Sequence, residues 1–69
     1  MTDTVKLNQR IHDSGLKKGH IANALGINAS TLSRKINNEL DFNTREIVAL
    51  CELLGISKLK EKEAIFFAM

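Results

Sequence analysis

The stretch "HIANALGINASTLSRKI", residues 20–36, decides the fold. Two short pieces with apolar residues at helical spacing, Ile21-Ala22-Leu25 and Leu32-Ile36, flank Gly26-Ile27-Asn28. Glycine accepts the left-handed backbone that ends a helix, and Asn caps the next one through its side-chain oxygen. The sequence therefore stops one helix at Gly26 and starts another after Asn28, with Ile27 plugging the corner. A three-residue corner sets two helices at a steep angle. Ile21, Leu25, Ile27, Leu32 and Ile36 line its inner side, and Ala22 is small where the two helices approach.

Working outward, the same signals place three more helices. The first follows Asp3 or Thr4 as cap, turns Val5, Leu7 and Ile11 inward and stops at Ser14-Gly15. The second runs from about Lys17 to Leu25, and its start is poor: Lys17 stands where a capping hydroxyl would help, and Gly19 weakens the first turn. The third spans about Ala29 to Asn37 with Ala29, Leu32 and Ile36 inward, and Asn37-Asn38 ends it in the left-handed conformation that Asn tolerates. In the fourth, Asn43 is the cap and Glu46 completes a capping box, followed by a stripe of Ile47, Leu50, Cys51 and Leu54 closed by Gly55. Ser57 can cap a fifth through "KLKEKEAIFF", residues 58–67, with Leu59, Ile65 and Phe66 toward the interior and the Lys/Glu run in solvent.

Composition agrees. The 69 residues are 43% hydrophobic but contain no Trp, Tyr or Pro and few β-branched runs, which argues against a sheet. No apolar stretch approaches a membrane span, and "MTDTVKLNQR" lacks the apolar segment of a signal peptide. One cysteine, Cys51, cannot form an internal bridge, which suits a reducing compartment. The expectation is an all-α, compact five-helix bundle: one soluble intracellular domain over 1–69, with its helix-turn-helix at about 18–37.

The net charge of +2 says little, but its placement says more. Residues 17–38 hold Lys17, Lys18, Arg34 and Lys35 and no acid, whereas residues 39–69 carry an excess of acids. Cations thus gather around the corner, as they do where phosphates are met. The outer side of the third helix is left with Ser30, Thr31, Ser33, Arg34 and Asn37. An exposed helix normally carries Glu and Lys; hydroxyls, an amide and a guanidinium suit base edges in a major groove instead. Arg34 fits guanine O6 and N7, with Ser30 and Ser33 at shorter reach and Ala29 offering a methyl for thymine. Lys18, Asn28, Thr31, Lys35 and Asn37 are the candidate phosphate contacts, helped by a helix N-terminus.

Enzymatic chemistry finds no support. His12 and His20 lie on different helices, Cys51 falls on an apolar stripe, and no metal-ligand spacing or glycine-rich phosphate loop occurs. No cofactor or metal is expected.

"IANALGINASTLSRKI" resembles the Cro/cI-type helix-turn-helix of phage regulators through Ala22, Gly26 and Leu32, and "DFNTREIVALCELLGIS" is similar to that family's fourth-helix segment. The resemblance covers most of residues 5–57 and implies a lambda-repressor-like DNA-binding domain. "TLSRKINNELDFNTREI" with the ending "AIFF" is more narrowly similar to small Cro-like regulators, or modulators of repression, of temperate phages of Gram-positive, lactococcal-type hosts. That implies a role in the lysis–lysogeny switch in the bacterial cytoplasm, with an operator duplex and the cognate repressor as partners. Four positions depart from the family pattern. Lys17 and Lys18 replace the usual Thr or Ser and Gln, Ala29 replaces a long base-reading side chain, and Asn38 replaces a glycine.

Two functions follow as expectations. One is a DNA-binding regulator, working as a homodimer through the apolar tail "AIFFAM", of which Ile65, Phe66 and Phe67 are the candidate interface. The other, motivated by the altered clamp and low charge, is an antirepressor whose polar face and tail cover the DNA-reading surface of the repressor.

Overall fold

Three glycines with positive φ and two capping asparagines divide the chain into five helices. The structure, a computed structural model, describes residues 1–68; Met69, the last residue of the tail considered above, lies outside the described residues. In order the helices are α1 (Thr4–Ser14), α2 (Lys18–Leu25), α3 (Ala29–Ile36), α4 (Thr44–Leu54) and α5 (Leu59–Phe66), and there is no strand among the described residues. α2 packs on α3 and α4, while α1 lies against α3, α4 and α5.

The corner between α2 and α3 forms as its residues dictate. Gly26 takes φ 74°, its N–H reaching Asn23 O at 3.1 Å, and the Ile27 N–H donates to Ala22 O at 3.0 Å. This closes the end of α2 with two hydrogen bonds that only a left-handed residue allows. Asn28 Oδ1 then accepts from the Thr31 N–H at 2.8 Å and opens α3. Gly55 and Ile56 repeat the device at the end of α4, where the Ile56 N–H donates to Cys51 O at 2.8 Å. Asp3, rather than Thr4, caps α1, accepting from the Lys6 N–H. Thr4 instead donates its hydroxyl to Ile36 O at 2.6 Å, tying the start of α1 to the end of α3.

The core consists of Leu7, Ile11, Ile21, Ala22, Leu32, Ile36, Leu50, Cys51, Leu54, Ile56, Ile65 and Phe66, with Leu16, Leu25, Ile27, Phe42, Ile47 and Leu53 packed around it. Phe42 meets Phe66 edge to face, with ring centroids 5.8 Å apart. Burying Phe66 and Ile65 closes α5 onto the bundle, and the Asp3 N–H bonds Ile65 O at 2.6 Å. Arg10 reaches across from α1, donating to Leu54 O at 2.8 Å and pairing with Glu61 of α5 at 3.1 Å.

Four positions differ from the sequence expectation. Val5 is exposed, because at 100° per residue it lies about 200° around the helix from Leu7 and cannot share the face of Leu7 and Ile11. Ala29 is exposed at the first turn of α3 rather than turned inward. Leu59 is exposed, because Ile56 takes the core position and the chain then stays in solvent through residues 57–60. Ser57 does not cap α5: the cap position is Lys58, with no side-chain hydrogen bond.

Candidate nucleic-acid interface

Leu32 and Ile36 pin one face of α3 to the core, and this fixes what the opposite face shows. Ser30, Arg34 and Asn37 are exposed and Ser33 is half-buried, at the spacing i, i+3, i+4, i+7 that forms one stripe along a helix. Ala29 joins this surface at its N-terminal end. Side-chain hydrogen bonds prepare part of it. Asn28 Oδ1 accepts from the Ser30 hydroxyl at 2.8 Å as well as from Thr31 N–H. The Ser30 oxygen therefore faces outward with its acceptor capacity free, and Asn28 keeps only its amide N–H groups for a partner.

The cations are less uniform than their spacing suggests. Lys17 and Lys18 are exposed and stand in no ion pair among the described residues. They flank the start of α2, whose cap position, Lys17, makes no side-chain hydrogen bond. Two cations and several free backbone N–H groups thus share one helix N-terminus, an arrangement suited to an anion.

Lys35 is different, and here the structure corrects the expected phosphate contact. Its Nζ lies 2.6 Å from Glu46 Oε1, with side chains only 13% and 6% exposed. The same carboxylate oxygen accepts from the Asn43 N–H at 2.9 Å, and Asn43 Oδ1 accepts from the Glu46 N–H at 2.8 Å. The expected capping box therefore forms and also receives the lysine, bracing α3 against α4. Burial pushes the Glu46 carboxyl up, but the hydrogen bonds from Lys35 and Asn43 and the lysine charge outweigh it. The group is held below its ordinary value of 4.5. An ammonium mostly out of water and held by a carboxylate at this distance is engaged in the fold rather than turned to a phosphate. Its apolar neighbours and the capping Glu46 were visible in the sequence, but the pairing across two helices was not.

Arg34 is exposed, and its Nε lies 3.7 Å from Glu39 Oε1. Glu39 follows Asn38, which adopts φ 64°. The Asn38 side chain bonds both the N–H and the C=O of Thr2, at 2.9 and 2.8 Å. The left-handed end was expected; its anchoring to the N-terminus was not, since no local pattern signals a contact over 36 residues.

The tail is mostly committed to the protein's own core. Ile65 and Phe66 are buried, which removes them as interface candidates, while Phe67 is 56% exposed. Cys51 is buried and its thiol is pushed up by that burial. Among the described residues no three of His, Cys, Asp and Glu gather as a metal site, and no helix is long and apolar enough to cross a membrane.

Comparison with known proteins agrees with this geometry. A family model described as Cro/C1-type HTH DNA-binding domain matches residues 6–61, most of the chain. No curated protein and no solved structure matches it.

Proposed function

The chain belongs to the Cro/C1-type HTH DNA-binding domain family, and from that membership we propose a transcriptional regulator that lays α3 in the major groove of an operator duplex. The observation that carries the proposal is the outward stripe of Ser30, Ser33, Arg34 and Asn37 on a helix without a single acid. Arg34 reads guanine through its two-pronged fork, Ser30 and Ser33 accept from or donate to nearer bases, and Ala29 meets a thymine methyl. Lys18, the Asn28 amide, Thr31 and Asn37 hold phosphates, with the open start of α2 adding N–H donors. One unit with about three or four phosphate contacts binds weakly and loses affinity steeply with salt. Two copies across half-sites about 34 Å apart remedy this, with Phe67 as the exposed part of the pairing tail. The likeness of residues 31–47 and 64–67 to small temperate-phage regulators supports a place in a lysis–lysogeny switch within the bacterial cytoplasm.

A second reading is favoured by one observation. Arg34 and Lys35 both carry acidic partners, so the surface is closer to neutral than the sequence of residues 17–38 implies. Such a face also suits a protein partner, the cognate repressor, whose DNA-reading surface it would cover. A mobility-shift assay at low salt, using a duplex selected from a random pool, separates the two. Retardation that weakens with salt supports the first. No shift with any duplex, together with co-elution with the repressor on size exclusion, supports the second and ends the first.

A further inference from the structure

The direction of one hydrogen bond on the outward face of α3 is fixed from the backbone. Asn28 precedes the helix in extended conformation, with φ −85° and ψ 164°, and its side chain turns over the first turn. There the Thr31 N–H donates to Asn28 Oδ1 at 2.8 Å. A backbone N–H can only donate, so this bond decides that the amide oxygen, not the nitrogen, points into the turn. The Ser30 hydroxyl lies 2.8 Å from the same oxygen. An amide oxygen only accepts, so the hydroxyl directs its one hydrogen to Asn28. Ser30 is exposed, and what it shows a partner is the lone pairs of its oxygen and no hydrogen.

We infer that Asn28 sets the polarity of Ser30, making it an acceptor that selects an amino-bearing base, adenine or cytosine, at the position it reads. The inference deepens the DNA-reading function proposed above and rests on it. In the major groove adenine shows its N6 amine where guanine shows O6, and cytosine its N4 amine where thymine shows O4. Against an amine, Ser30 accepts while its hydrogen stays on Asn28, and both bonds stand. Against O6 or O4, the hydroxyl must turn its hydrogen from Asn28 to the base, exchanging one bond for another, or leave two oxygens face to face. The amine therefore leads by one hydrogen bond, a preference of about two- to twelvefold. A hydroxyl that already donates is also the better acceptor, which works in the same direction. The Asn28 bond is kept on the favoured base and broken only on the others, so it separates sequences rather than weakening all of them alike. Arg34 brings donors and no acceptor, and Ser30 supplies the opposite sign on the same helix.

The test uses Asn28→Gly, Asn28→Asp and Ser30→Ala, each first shown by thermal melting to be folded; glycine costs a helix start little. Fluorescence anisotropy measures the affinity of each protein for the duplex selected from a random pool and for every single transition of it. A transition puts a carbonyl where an amine stood. The base pair whose preference vanishes in Ser30→Ala is the one Ser30 reads. At that pair, purine in place of adenine, or 2-pyrimidinone in place of cytosine, removes the amine alone. Its removal should cost the wild type about two- to twelvefold more than it costs Ser30→Ala. Asn28→Gly frees the hydroxyl to turn, so the transition ratio there should fall below about twofold while the ratios at other base pairs hold. Asn28→Asp again offers Thr31 and Ser30 an acceptor and should restore the ratio, although its charge weakens every duplex alike. Three results overturn the inference while the DNA-reading function stands. They are an amine removal that costs wild type and Ser30→Ala equally, an unchanged ratio in Asn28→Gly, and no base pair that depends on Ser30. If the wild type binds no duplex, the inference falls with that function.

Discussion

Replacing Lys35 by Met should weaken the fold and leave the ionic part of DNA binding untouched. The reason lies in the short contact of Lys35 Nζ with Glu46 Oε1 at 2.6 Å, where both side chains are nearly out of water. At an effective dielectric of about 20 the attraction at that distance is on the order of 6 kcal/mol before dehydration is subtracted. Removing one partner of such a pair typically costs about 3–5 kcal/mol, because the other charge stays buried alone. The Asn43 N–H still satisfies one Glu46 oxygen, which places the expected loss nearer about 2–3 kcal/mol. For a chain of this size, with a total stability of about 3–10 kcal/mol, that is a large fraction. Urea unfolding followed by far-UV circular dichroism gives the loss directly, and the variant Lys35→Met with Glu46→Leu should recover much of it. The pH dependence has a definite sign. The folded pKa of Glu46 lies below its ordinary 4.5, so its contribution is complete above that value and is lost as pH falls through the folded one. Lys35→Met should flatten this acid limb. A single-variant loss under about 0.5 kcal/mol, or a drop of about one in the salt slope of DNA binding, would refute the assignment of Lys35 to the fold.

Three further outcomes can be checked with the same methods. Gly19→Ala should stabilise by about 0.5–1 kcal/mol, since the added methyl meets nothing within 4 Å and no positive φ is required there; thermal melting measures it. Asn38→Ala should destabilise by about 2–3 kcal/mol, losing both the tolerance of φ 64° and the bonds to Thr2, whereas Asn38→Gly should lose only about half as much in urea unfolding. Phe67→Ser should change stability by no more than about 0.5 kcal/mol, and where the tail pairs two copies it should lower the mass measured by light scattering.

What the sequence revealed and what it hid divide along a physical line. Signals carried by neighbouring residues were legible: the Gly26 stop, the Asn28 cap, the Asn43–Glu46 capping box and the left-handed Asn38 all form. Their energetics are local, so their residue types suffice. The inner residues Ile21, Ala22, Leu32 and Ile36 followed from helical period. Ile56 is a core residue that the sequence analysis did not name, although Leu54-Gly55-Ile56 repeats Leu25-Gly26-Ile27 and the same left-handed turn drives both isoleucines inward. Val5 was misplaced by counting apolar residues without their angles. Contacts between distant segments stayed hidden. Nothing near Lys35 announces Glu46, and nothing near Asn38 announces Thr2, yet these decide which polar groups remain for a partner. Of the expected surface on α3, Ser30, Ser33, Arg34 and Asn37 stand outward, while Lys35 is consumed by the fold.

The most direct measurement is a nuclear magnetic resonance titration of the labelled protein with the selected duplex, reading amide shifts along the whole chain. The account predicts that the largest changes fall on Ala29, Ser30, Ser33, Arg34 and Asn37, with a second group at Lys17 and Lys18, while Lys35 Nζ stays with Glu46. Changes gathered instead around Met1, Phe42 and Phe67, with α3 silent, would contradict it.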